Sequence, residues 1–222
     1  MFSADLEGAE KRYNFDEVVN RRNNNSDKWT AYPEDVLPMW IADMDFKSPK
    51  EVIEGLKKIS ENGVYGYGKT RPSRLLDAII YRLKKLYGWS IHPDDIVMLP
   101  SLVAGFNIAA NVAKRRNPAA NYLFHTPAYP PFFEVSKNVG LEKVEVPLKE
   151  IPRGDNELYY EIDFAAMESK VNGDSELFML CSPHNPSGRV FTPEELAEFE
   201  RFAVKHNLLV LSDESHAEIN LS

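Results

Sequence analysis

The fold is read from "ELFMLCSPHNPSGRVFTPEELAEFERFAVKHNLLVLSDE", residues 176–214. The run "ELFMLCSP" has the length and apolar character of a buried strand, and the turn-rich loop "HNPSGRVF" follows it. "TPEELAEFERFAVKHN" then reads as a helix. Thr192 and Glu195 have capping-box spacing, and Pro193 stands at the first helical position. "LLVLSDE" is the next apolar strand. Strand, loop, helix and strand in that order form a crossover unit, which requires a mostly parallel sheet. Such sheets bind ligands beyond the carboxyl ends of their strands. Asn185 and Asp213 each follow a strand end, so the two polar sites are expected to meet in one crevice.

Upstream of this unit, "SRLLDAIIYRLKKLYG" places Leu75, Leu76, Ile79, Ile80, Leu83 and Leu86 at helical spacing, with Ser73 as N-cap and Gly88 as the stop. A second helix is expected from about Val103 to Arg116. The strand "NYLFH", the segment "TPAYPPF", the helix "PFFEVSKNVG" and the strand "LEKVEVPL" come next. The polar stretch from Arg21 to Asp35 reads as an extended arm or loop.

At 222 residues and 43% hydrophobic, the chain can build the core of one large domain or one and a half. Its net charge of −8 argues against a nucleic-acid partner, which would favour a basic face. No stretch approaches the roughly 20 apolar residues that span a bilayer, so no membrane role is expected. The acidic, mixed start "MFSADLEGAEKRYNFDEVV" resembles no secretory leader. A single cysteine, Cys181, leaves no internal disulfide and no cysteine-based metal cage; the simplest address is the cytoplasm.

Taken alone, Asp213 is a loop carboxylate that caps a helix or faces solvent, and His216 satisfies a local hydrogen bond. Their combination with the loop at Asn185 is more specific. "NPSG" followed, one helix and one strand later, by "SDE" resembles the motif pair of fold-type-I pyridoxal-phosphate (PLP) enzymes of the class I/II aminotransferase family. "LPMWIADMDF" (37–46), "YGYG" (65–68) and "TPAYPPFF" (126–133) are similar to its cystathionine β-lyase-like, or C–S lyase, branch. The likeness runs from about residue 13 to the last residue. A nucleotide-binding doubly wound domain lacks its signature here, since no G-x-G-x-x-G follows a strand.

The resemblance implies a three-layer αβα fold with a mostly parallel sheet, the PLP-dependent transferase-like large domain, truncated. Residues 1–48 would be an N-terminal arm and part of a small domain. Residues 49–222 would be the PLP-binding large domain, incomplete at its C-terminus. By the same resemblance the cofactor would be pyridoxal 5′-phosphate, and Asp213 the carboxylate that keeps the pyridine nitrogen protonated. Asn185 donates to the 3′-oxygen, His216 belongs to the same cofactor site, and Tyr129 stacks on the ring. Ser101, Leu102 and Val103 form the phosphate cup at a helix N-terminus, with the Leu102 and Val103 amides as donors. The family often carries a glycine where Ser101 stands. Tyr67 matches a tyrosine that reaches the phosphate of a neighbouring subunit, which implies a homodimer. Ala42 and Asp43 match the segment lining the substrate side, mostly through backbone. Trp40, Phe46 and Cys181 read as packing residues, and Tyr65 as a surface aromatic. No metal site is implied.

In the family a lysine holds PLP as a Schiff base and moves the substrate proton. It follows the "SDE" strand by a further strand and loop. This sequence has no lysine after Lys205, so no catalytic residue is assigned. The expectation is an N-terminal portion, inactive by itself, of an enzyme acting on an amino-acid substrate. The leading activity is C–S β-elimination on sulfur amino acids. The alternatives are amino transfer and, in another class, a non-catalytic cofactor- or protein-binding remnant.

Overall fold

The computed structural model describes residues 13–219. Residues 1–12 of the expected arm and 220–222 of the expected large domain lie outside the described residues. Internal packing divides the chain after Lys69 into two compact units, and each is described by itself.

In the first unit, the stretch expected to be an extended arm contains one helical turn, α1 (Asp27–Thr30), because Trp29 and Thr30 both donate backbone bonds to Ser26 O. Helix α2 (Lys50–Asn62) ends at Gly63, which takes the left-handed φ of 66° that closes the helix. The sequence reading assigned no element here, although Val52, Ile53, Leu56 and Ile59 repeat at helical spacing. A polar network ties residues 21–29 to residues 43–45. Arg21 donates to the carboxylates of Asp43 (2.7 Å) and Asp45 (2.9 Å). Asp45 also accepts from Lys28 Nζ and from Trp29 Nε1, each at 2.7 Å. These donors, Lys28 foremost, hold the Asp45 carboxyl down to about 2.

The second unit begins with α3 (Ser73–Tyr87), which stops at Gly88 (φ 66°) as expected. Ser73 is not its cap. Pro72 occupies that position with extended backbone and offers no side-chain bond, so Ser73 is the first helical residue. Helix α4 (Leu102–Arg116) leads into β1 (Asn121–Thr126). The expected helix at 131–140 is one α-helical turn, α5 (Pro131–Val135), continued by a π-helical turn over Ser136–Gly140. The strand β2 (Glu142–Pro147) follows. Next come two strands that the sequence reading did not assign, β3 (Lys149–Pro152) and β4 (Leu158–Glu161), paired antiparallel as a separate hairpin. Helix α6 (Phe164–Lys170), also unassigned, is capped by Asp163 Oδ1, which accepts from Ala166 N at 2.8 Å. The quoted crossover then appears as β5 (Ser175–Cys181), α7 (Pro193–Lys205) and β6 (Leu209–Asp213).

The main sheet has the order β2-β1-β5-β6 and every neighbouring pair is parallel. Side chains alternate between its faces. Tyr122, Phe124, Leu177 and Met179 pack with Phe106, Ala110 and Ala113 of α4 and with Phe132 and Val135 of α5. Leu123, Phe178 and Leu180 pack on the other face with Met167 of α6 and Phe199, Phe202 and Ala203 of α7. The result is three layers, helix on sheet on helix. A strand buried on both faces must be apolar at nearly every position, which is why "LFMLC" shows no alternation. Arg116, at the C-terminus of α4, pairs with Glu176 at the start of β5 (3.0 Å). Helix α4 thus runs back against the strands, with its N-terminus toward the edge where β1, β5 and β6 end.

Candidate functional site at the strand ends

Three strands deliver polar residues to that edge. At the end of β5 the backbone closes a tight turn. His184 N donates to Arg189 O (2.6 Å) and Gly188 N donates to His184 O (2.7 Å). Gly188 has a φ of 72°, a conformation open to glycine at little cost. His184 Nδ1 bonds Ser187 Oγ at 2.8 Å inside the turn. Burial, aided by the Arg189 charge, pushes the His184 imidazole down to about 4. Asn185 sits on this turn half-buried. Its backbone N–H meets Cys181 Sγ at 3.5 Å, while its side-chain amide has no hydrogen-bond partner among the described residues.

Asp213 ends β6 and stands in register with Cys181 of β5. It is a buried carboxylate, 7% exposed. Its Oδ1 accepts from Ser215 N (3.1 Å) and Ser215 Oγ (2.5 Å), whereas Oδ2 has only the Cys181 thiol at 4.0 Å. That oxygen keeps its capacity for a charged or N–H donor. Burial pushes the thiol up to about 11, and Asp213 adds to the effect. Cys181 is thus a buried protonated thiol at neutral pH, in keeping with its reading as a packing residue.

Three residues after Asp213, His216 lines the same cleft as Asn185, a space of about 690 Å³. Tyr159, Pro183, Arg189 and Ile219 are among its other lining residues. The imidazole of His216 makes no hydrogen bond among the described residues. Arg82 of α3 forms a two-pronged pair with Glu218, with Nε 2.7 Å from Oε1, and so anchors the turn that carries His216.

At the N-terminus of α4, Ser101 Oγ accepts from Ala104 N at 3.2 Å. This satisfies the third amide of the helix and leaves those of Leu102 and Val103 unspent among the described residues. Tyr129 follows β1, half-buried, with its ring 6.5 Å from that of Phe132. The topology thus brings Ser101–Val103, Tyr129, Asn185, Asp213 and His216 to one edge of one sheet. The cleft itself is lined by only two of them, Asn185 and His216.

Ala42, Asp43 and Tyr67 belong to the first unit. Ala42 is exposed and Tyr67 fully so. The Asp43 carboxylate is taken by Arg21, its N–H donates to Ile41 O (2.9 Å), and its carbonyl accepts from Lys28 (2.7 Å). Trp40 meets Tyr32 edge-on and Phe46 meets Phe15, but both Trp40 and Phe46 remain about half exposed.

Sequence reasoning missed the groups beneath the loop. Arg189 is 7% exposed and reaches Tyr160 O (2.6 Å) and Glu195 Oε2 (2.5 Å). Its sequence signal is a charge between Gly188 and a capping box, at a position where strand-like alternation with Val190 and Phe191 turns it inward. His125, at the end of β1, is buried against Phe178 and Phe191 and neither ring nitrogen is hydrogen-bonded. Burial pushes it down to about 3, with His184 acting in the same direction. The Val146 backbone opposes the shift without reaching bonding geometry.

A parallel αβα sheet thus carries an unspent amide, a buried carboxylate and free helix-terminal N–H groups at its carboxyl edge, where such sheets bind ligands. The chain belongs to the aminotransferase class I and II family, whose profile matches residues 34–221. It is 34% identical to cystathionine beta-lyase PatB of Bacillus subtilis over 214 residues, covering 94% of this chain and 53% of that protein. Among solved structures, a PLP-bound putative aminotransferase from Clostridium difficile is 35% identical with a TM-score of 0.83, covering 92% of this chain and 52% of the other. The PLP-bound C-S lyase of Staphylococcus hominis is 31% identical with a TM-score of 0.79, covering 91% and 51%. The chain spans about half the length of the curated relatives it matches.

Proposed function

We propose that these 222 residues supply the cofactor-holding part of a PLP-dependent C–S β-lyase acting on sulfur amino acids. One observation carries the reading: Asn185 and Asp213, one crossover apart, stand at adjacent strand ends with an unspent side-chain amide and a buried carboxylate oxygen lacking a strong donor. Those vacancies fit a pyridine ring with an N–H and a 3′-oxygen. When bound, PLP supplies an electron sink for bond breaking at the substrate α-carbon.

The chain's own residues bind and orient. Asp213, fixed at Oδ1 by Ser215, would hold a proton on the ring nitrogen. Asn185 would donate to the 3′-oxygen from the turn between His184 and Arg189. The Leu102 and Val103 amides, at the positive end of α4, would receive the phosphate. Tyr129 would cover the ring face, and His216 would close the cleft beside Asn185. For Ala42 and Asp43 a substrate-side role rests on the resemblance of "WIADMDF" alone, since the Asp43 carboxylate, N–H and carbonyl are taken by Arg21, Ile41 O and Lys28.

Exposed Tyr67 supports a homodimer in which it reaches the neighbouring site. Residues 1–48 serve as arm and small-domain part, and residues 49–222 as the large domain. A cytoplasmic location is supported by the lone buried cysteine. The choice of lyase over aminotransferase rests on "WIADMDF" and on relatives described as cystathionine beta-lyase and C-S lyase. The full-length protein, supplied with PLP and L-cystathionine, is expected to release pyruvate without consuming a 2-oxo acid, and residues 1–222 alone to release none. Consumption of a 2-oxo acid with no pyruvate would establish amino transfer instead.

A further inference from the structure

We propose that Arg189 is a positioning residue for Asn185, acting through the turn between His184 and Arg189. The inference rests on the reading that Asn185 contacts the cofactor. The Asn185 side chain has no hydrogen-bond partner among the described residues, so the backbone that carries it sets where the amide can reach. Arg189 closes that backbone with its own carbonyl, which accepts from His184 N at 2.6 Å. Its side chain then ties the turn to two other elements. Nη1 donates to Tyr160 O of β4 at 2.6 Å, and Nη2 donates to Glu195 Oε2 of α7 at 2.5 Å. The guanidinium also lies 4.2 Å over the Tyr159 ring.

Glu195 has two duties. The same Oε2 accepts from Thr192 N at 2.7 Å, completing the capping box of α7. Turn, hairpin and helix start are thereby locked together around one buried, paired charge. A lysine cannot replace it, because a single ammonium on a flexible stem lacks the planar fork that spans both acceptors and stacks on a ring. Glutamine at 195, in contrast, keeps the capping box and removes only the ionic half of the clamp.

Pyridoxine 5′-phosphate is the suitable probe, since it keeps the ring, 3′-oxygen and phosphate but has no aldehyde to react with surface lysines. Its affinity for the 222-residue chain is measured by equilibrium dialysis, and exchange of the Gly188 amide by NMR. Arg189→Lys and Glu195→Gln are each expected to weaken the probe about tenfold and to speed Gly188 exchange, with the interior amides of α7 still protected. In an Asn185→Ala background, Arg189→Lys should cost no further affinity, because its effect passes through Asn185. An equal further loss in that background overturns the positioning role, as does an Arg189→Lys variant that binds like wild type while Asn185→Ala is weakened. If the wild-type chain does not bind the probe, or if Asn185→Ala binds it normally, the reading of Asn185 itself fails and the positioning role falls with it.

Discussion

His125 lies with its ring centroid 5.0 Å from that of Phe178 and has both nitrogens buried without a hydrogen bond. Its folded pKa of about 3 lies far below the unfolded value of about 6.5. As pH falls below about 6.5 the unfolded chain gains a proton that the folded chain refuses, so stability declines until the folded pKa is reached. His184, held near 4, acts the same way between about 6.5 and 4. Replacing His125 by Phe removes a buried polar ring that has no partner. At pH 7 the variant should lie within about 1 kcal/mol of wild type or above it. At pH 4.5 it should gain a further 2–3 kcal/mol or so relative to wild type. Urea unfolding at the two pH values checks this, and parallel stability–pH curves would refute it. Asn185 and Asp213 were legible as a pair because their spacing encodes a crossover. His125 was not, because nothing local marks which polar side chain near a strand end turns inward, and the partners of Arg189, Tyr160 and Glu195, come from separate elements.

Elements differ in how much of their stability is local. Helix α7 carries its own start signal: Thr192 Oγ1 accepts from Glu195 N at 3.2 Å and Glu195 answers to Thr192 N. Loss of that cap in Thr192→Ala should cost about 1 kcal/mol. Phe178 of β5 is completely buried and meets Phe199 edge-on at 4.9 Å. Phe178→Ala should cost about 3–5 kcal/mol, since the cavity cannot collapse between two packed layers. Urea midpoints at unchanged m-value measure both, and equal costs would contradict this division between cap and core. The same contrast explains legibility. The elements β5, α7 and β6 were readable from caps and apolar runs. Residues 149–152, "KEIP", have too few apolar positions to declare a strand, and β3 forms only by pairing with β4.

Across the whole second unit, β6 is an end of the sheet, paired with β5 on one side and with no strand on the other among the described residues. Val210 on this strand is 45% exposed and Val204 on α7 is 74% exposed. An open edge flanked by apolar side chains invites pairing with another chain. Residues 1–222 alone are therefore expected to self-associate as concentration rises. Val210→Lys should suppress this and change stability by less than about 1 kcal/mol. Sedimentation velocity over a concentration series decides, and undiminished association of the lysine variant would exclude this edge as the contact.

By itself the sequence determined the parallel crossover, the family and the placing of Asn185 and Asp213 just beyond two strand ends, because caps, turns and apolar runs are short-range signals set by neighbours in the chain. Only the tertiary structure decided the strand order, the burial of His125 and the clamp from Arg189 to Tyr160 and Glu195. Apolar periodicity specifies that a face must be covered. Which distant segment covers it, and which polar group is caught beneath, is settled by packing the layers together.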